Sequence, residues 1–107
     1  RPIPACHYMV AAFGGNDVRC SGYSTYGTED LAAMALEAMA DRSGCLLANL
    51  GMIAAGESLD KARWRAVELE TLARQYCQAL QLGEPGILSD EESIETLSRV
   101  GTYGPAT

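Results

Sequence analysis

Few side chains in this sequence can do chemistry, and their spacing narrows what that chemistry is. One histidine, His7, occurs in 107 residues. A catalytic zinc usually takes two or three imidazoles, so no self-contained site of that kind is present. Cys6, Cys20, Cys45 and Cys77 form no C-x-x-C pair, which argues against a zinc knuckle or a dithiol redox motif. Cys45 and Cys77 each lie inside an apolar segment and are expected as buried, reduced thiols of a cytoplasmic protein. Asp90-Glu91-Glu92 reads as a helix start rather than a metal site, because carboxylates at consecutive helical positions point in different directions. Gly14-Gly15 lacks the following Lys-Ser/Thr of a phosphate loop. Two tyrosines are left as candidates. Tyr8 sits in an apolar segment, where a phenol is ordinarily a core residue with its hydroxyl satisfied. Tyr103 sits between Gly101 and Gly104 in a terminal loop.

Composition limits the partners. The formal charge is −6 with 8 Lys+Arg, which argues against nucleic acid or an anionic membrane. The longest apolar stretch, Cys45 to Gly56, falls short of the roughly 20 residues that span a bilayer. With 48% hydrophobic and 21% charged residues the chain is globular, and its length allows at most one domain. It opens on Arg1-Pro2-Ile3-Pro4, not Met, and shows no secretory signal, so either something was removed or it is a piece of a longer protein.

The elements that must position these residues follow from periodicity and punctuation. Residues 5–13 read as a buried strand ended by Gly14-Gly15-Asn16, with His7 and Tyr8 on opposite faces. Residues 18–26 suggest a short strand and a loop. Thr28 caps a helix that carries Leu31, Met34, Ala35, Ala38 and Met39 at helical spacing and ends by Ser43-Gly44. The apolar run over residues 45–55 reads as a central strand covered on both faces. Ser58 caps a long helix reaching about Leu82. Leu59, Ala62, Ala66, Leu69, Ala73, Tyr76 and Leu80 form its apolar stripe, and Lys61 and Arg65 lie largely off it. Trp64 on that helix is read as packing or an oligomer contact. Gly83-Glu84-Pro85-Gly86 stops the helix, and Ser89-Asp90-Glu91-Glu92 is a capping box for a last helix. That helix is expected to bury Ile94, Leu97 and Val100. The order is an α/β layer pattern that leans toward parallel strands. The sheet is thin, and an oligomer or another chain segment would complete it.

Several motifs in register resemble a known family. They are His7-Tyr8-Met9-Val10-Ala11-Ala12 with Gly14-Gly15-Asn16, and Tyr23-Ser24-Thr25-Tyr26-Gly27-Thr28. They continue through Leu46-Leu47-Ala48-Asn49-Leu50-Gly51-Met52-Ile53-Ala54, the helix with Lys61-Ala62 and Trp64, Leu88 to Glu92, and Thr102-Tyr103-Gly104. Together they resemble the class II aldolase/adducin family, most closely its L-fuculose-phosphate aldolase branch, over nearly the whole chain. The resemblance implies a three-layer α/β/α sandwich with a mostly antiparallel central sheet. Residues 1–107 would be a single unit, the C-terminal portion of such a domain.

The family's reaction is reversible aldol cleavage of a sugar phosphate by an aldehyde-lyase. A zinc ion held by three histidines polarises the carbonyl, and a nearby glutamate moves the proton. Close relatives epimerise, decarboxylate or dehydrate similar substrates, and adducin heads have no known use of this chemistry. The family's His-x-His pair, its glutamate and its phosphate loop match nothing in this chain. The third zinc histidine belongs to a motif that usually reads Ala-Asn-His-Gly. Here it reads Ala48-Asn49-Leu50-Gly51, and Leu50 has no lone pair to give. The chain by itself is therefore expected to bind no zinc. Tyr8 matches a tyrosine that reaches into a neighbouring subunit's site and donates a proton in the aldol step. Tyr103 matches one that closes over the substrate. The resemblance also implies a homo-oligomer, a tetramer in the family, or assembly with a complementary N-terminal segment. The competing expectations are a non-catalytic, adducin-like interaction or scaffold module, and a subunit of a hetero-oligomer that assembles with full-length aldolase and lends only its tyrosines.

Overall fold

The structure is a computed structural model that describes residues 1–25 and 27–100. Its elements are β1 (Ile3–Pro4), a 3-10 helix (Tyr8–Phe13), β2 (Asp17–Val18) and β3 (Cys20–Ser21), followed by α1 (Glu29–Ala38), β4 (Gly44–Leu47), β5 (Gly51–Ala54), α2 (Leu59–Leu82) and α3 (Asp90–Val100). β1 pairs antiparallel with β2. β4 is the middle strand of the other sheet, parallel to β3 and antiparallel to β5. Antiparallel pairing thus prevails, against the parallel leaning of the element order. Among the described residues no helix is long and apolar enough to cross a membrane.

The core sits where the 3-10 helix meets β1, β2 and α2. Ile3, Met9, Val10, Ala12, Phe13, Val18, Leu69, Leu72 and Tyr76 form one buried cluster. Phe13 is completely enclosed, and its ring lies so close to Gly44 that a β-carbon there would come within 2.8 Å of it. Burying a phenylalanine side chain is worth about 1.5–3 kcal/mol of transfer free energy.

The helix caps formed as their residues specify. The Thr28 hydroxyl accepts from the Leu31 amide at 3.2 Å, and the Ser58 hydroxyl accepts from the Lys61 amide at 3.1 Å. At α3 the box is reciprocal: the Ser89 amide donates to Glu92 Oε1 at 2.9 Å and the Glu92 amide to Ser89 Oγ at 3.2 Å. α1 stops earlier than Ser43, because the Met39 cap ends it and Arg19 Nη1 donates to the Ala40 carbonyl at 2.6 Å.

Two expected strands take other forms. Residues 8–13 are a 3-10 helix, not part of a strand. His7 Nδ1 caps its start by accepting from the Met9 amide at 3.1 Å, and Gly14, at φ 106°, closes its end. Met9 through Phe13 are all buried because α2, α3 and β2 surround the helix, and an apolar run enclosed on every side carries no period. The run over residues 45–55 is a hairpin. Asn49 adopts a left-handed backbone at φ 62°, and the Leu50 amide donates to the Leu47 carbonyl at 3.1 Å, folding the chain back. Of that run only β4 is a central strand; β5 is an edge.

Several burial expectations are corrected as well. Cys77 is exposed, whereas Cys45 is buried. Lys61 is only 8% exposed, while Leu59 at the head of the stripe is open to solvent. The α3 face toward the core presents Ser93, and Ile94 and Leu97 are exposed, because the helix lies against a turn built of glycines. Tyr26, the side chain of Val100 and the tail over 101–107 lie outside the described residues.

Candidate functional site

Tyr8 is the first residue of the 3-10 helix and the one left in the open. It is 50% exposed while Met9 to Phe13 behind it are buried. The helix turn, rather than a strand's alternation, decides what lies beside it. The His7 and Tyr8 rings stack with centroids 4.7 Å apart and planes 21° from parallel. The expectation that His7 faces away from Tyr8 is therefore corrected. Tyr103, the second candidate, lies outside the described residues.

The hairpin tip positions Leu50. β4 and β5 are paired from Gly44↔Ala54 to Leu47↔Gly51, so Ala48, Asn49 and Leu50 form the turn beyond the last pair. Leu50 is 57% exposed there. The hairpin is tied to α2 by Arg65, whose Nη1 donates to the Ala55 carbonyl at 2.9 Å and whose Nη2 donates to Glu57 at 3.3 Å. Glu57's carboxyl is held below its ordinary range, first by its own backbone amide and then by Arg65. Among the described residues no hydrogen bond, ion pair or ring contact joins Tyr8 to Leu50.

The donor set decides whether zinc fits. His7 already uses the Nδ1 lone pair for the Met9 amide. Among the described residues no three His, Cys, Asp or Glu side chains gather closely enough to hold a metal. Leu50 presents only hydrocarbon at the tip. Burial pushes the Cys45 thiol up, with Cys20 adding to the effect, and also raises Cys6. Thiols so placed resist becoming the thiolates that ligate metals or attack substrates. The residues present do not fit a three-histidine zinc.

Lys61 lies off the apolar stripe of the sequence pattern, yet it is buried with its ammonium 5.2 Å from the centre of the Trp64 ring. The signal that finds this is a lysine three residues ahead of an aromatic on one helix. A cleft of about 270 Å³ lies between α3 and the Gly14-Gly15-Asn16 turn. Its one cation, Arg42, is already spent on Asp17, 2.8 Å from Oδ1, so the cleft is a packing seam.

Comparison with known proteins places this geometry. The chain is 53% identical over 104 residues to the 5-methylthioribulose-1-phosphate/5-deoxyribulose-1-phosphate aldolase of Rhodospirillum rubrum, covering 97% of this chain and 47% of that protein. It is 44% identical over 105 residues to the L-fuculose phosphate aldolase of Escherichia coli strain K12, covering 97% and 49%. A solved L-fuculose 1-phosphate aldolase superposes with a TM-score of 0.83 at 42% identity, over 94% of this chain and 47% of that one. The chain thus spans about half the length of the curated relatives it matches, and its fold is the α/β fold of a class II aldolase fragment. Residues 1–77 match the family described as Class II Aldolase and Adducin N-terminal domain, and the chain belongs to that family.

Proposed function

We propose that this chain is the C-terminal portion, over residues 1–107, of an aldehyde-lyase that cleaves a sugar 1-phosphate reversibly to dihydroxyacetone phosphate and an aldehyde. The reading is supported by relatives named as aldolases of L-fuculose phosphate and of 5-methylthioribulose 1-phosphate. The observation that carries it is Tyr8, half exposed at the head of a helix whose other residues are all buried. As the new carbon–carbon bond forms, the phenol hands its proton to the aldehyde oxygen, which becomes a hydroxyl. In cleavage the phenolate takes that proton back. A phenol hydroxyl held beside the reacting oxygen can serve as the general acid in one direction and the general base in the other. Tyr103 closes over the substrate from the glycine-flanked tail. The chain works as a homo-oligomer or joined to a complementary N-terminal segment, which supplies the metal and phosphate contacts, in the cytoplasm. Alone it binds no zinc and cleaves nothing.

A second reading rests on Leu50. An intact hairpin with hydrocarbon at its tip suits a non-catalytic, adducin-like interaction module. The two readings separate when the chain is fused behind the N-terminal portion of the R. rubrum relative. Zinc content and release of dihydroxyacetone phosphate from L-fuculose 1-phosphate and 5-deoxyribulose 1-phosphate are measured, with and without Leu50→His. The enzyme reading expects Leu50→His to bring zinc to about one per chain and to raise cleavage, and Tyr8→Phe to lower it again by about 10²–10⁴-fold. Failure of Leu50→His to recruit zinc in the fusion leaves the module reading.

A further inference from the structure

His7 is held at two points. Its Nδ1 accepts the Met9 amide at 3.1 Å, which leaves the proton of the neutral ring on Nε2 and fixes how the imidazole is turned. Its face lies 4.7 Å from the centre of the Tyr8 ring, with the planes 21° apart. Tyr8 is 50% exposed, and among the described residues its ring contact is this one. A side chain so exposed ordinarily exchanges rotamers freely. The cap bond removes that freedom from the imidazole, and the stacked imidazole removes it from the phenol.

We infer that His7 is a positioning residue for Tyr8, orienting the phenol by stacking while the first turn of the 3-10 helix holds the imidazole. This rests on the reading of Tyr8 as the proton donor. A proton donor must keep its hydroxyl within hydrogen-bond reach of the reacting oxygen, so orientation controls rate more than binding. His7 touches no reacting atom and acts only through Tyr8.

Two variants divide the role from plain helix capping. His7→Asn keeps a side-chain acceptor for the Met9 amide and removes the ring. His7→Phe keeps a ring and removes the acceptor. In the 107-residue chain with ring-labelled tyrosine, the Tyr8 resonances are identified by their loss in Tyr8→Phe. The stack holds these resonances upfield. The expected result is that His7→Asn moves them downfield toward those of a free tyrosine, whereas His7→Phe retains most of the upfield shift. In the active fusion, His7→Asn lowers kcat about tenfold at unchanged KM, and more than His7→Phe does. The opposite order, with His7→Phe the more disruptive, would show a capping residue only and overturn the inference. Unchanged Tyr8 resonances in His7→Asn would overturn it too. If the resonances move as expected but Tyr8→Phe leaves cleavage intact, the stacking stands and the proton-donor reading fails.

Discussion

The head of the 3-10 helix and the tip of the β4–β5 hairpin each lift one side chain clear of an ordered frame. At the first, Tyr8 rises from five buried residues and is braced by His7. At the second, Leu50 rises from a paired hairpin whose turn is set by Asn49. The frames are equally intact; the chemistry is not. A phenol at one place can move a proton, and an isobutyl group at the other can neither ligate nor transfer anything. Frame and function are therefore carried by different residues here: the turn at 48–50 is shaped by Asn49 and the strand pairing, while the Leu50 side chain stands 57% exposed.

Substitutions test that separation. The largest effect is expected in the frame under Tyr8: Phe13→Ala should cost about 3–5 kcal/mol in urea or thermal unfolding, since the ring is fully enclosed and its loss leaves a cavity. A loss below about 1 kcal/mol would mean the site collapses and the frame is soft. Tyr8→Phe should leave stability within about 0.5 kcal/mol, the ordinary range for an exposed position, while lowering cleavage in the fusion as stated above. At the hairpin, Asn49→Ala should cost about 1 kcal/mol, because alanine tolerates the left-handed backbone poorly, and Asn49→Gly should be neutral or better. Leu50→Ser should change stability by no more than about 0.5 kcal/mol. A large loss there would show that Leu50 packs as part of the frame, and would break the comparison.

How much of this was legible in the sequence differs between the same two regions. The three α-helices and their caps were readable because Thr28, Ser58 and the Ser89–Glu92 box act locally. The 3-10 helix was not, since Met9 to Phe13 are apolar without interruption and an enclosed segment of either kind looks the same. Reading it as a strand also put His7 and Tyr8 on opposite faces, which hid their stacking. The hairpin carried a signal that the apolar run masked: Asn49 two residues before Gly51, between two short apolar segments, is turn chemistry. Leu50 as a lost ligand position came from the resemblance, and the structure adds that it stands at the apex of the turn. The stripe pattern leaves Lys61 off the buried face, and its burial follows instead from its spacing to Trp64.

The smallest expected effect is one of pH at α3. Glu92's carboxyl is held below its ordinary range by the Ser89 amide and then the Ser89 hydroxyl. A carboxyl whose pKa is lower folded than unfolded stabilises the fold above the unfolded value, about 4.3, and loses that contribution as pH falls through the folded value. The α3 amides should therefore lose protection, measured relative to their intrinsic exchange rates, as the pH drops below about 4, and Glu92→Gln should flatten that dependence.

Zinc content tests the central contrast most directly. The 107-residue chain, equilibrated with zinc and then desalted, is measured by elemental analysis. Far less than one zinc per chain is the predicted result, because Leu50 offers no lone pair and His7 is committed to the Met9 amide. One tightly held zinc per chain would contradict the account, and would mean that the frame at the hairpin still carries its chemistry through donors other than residue 50.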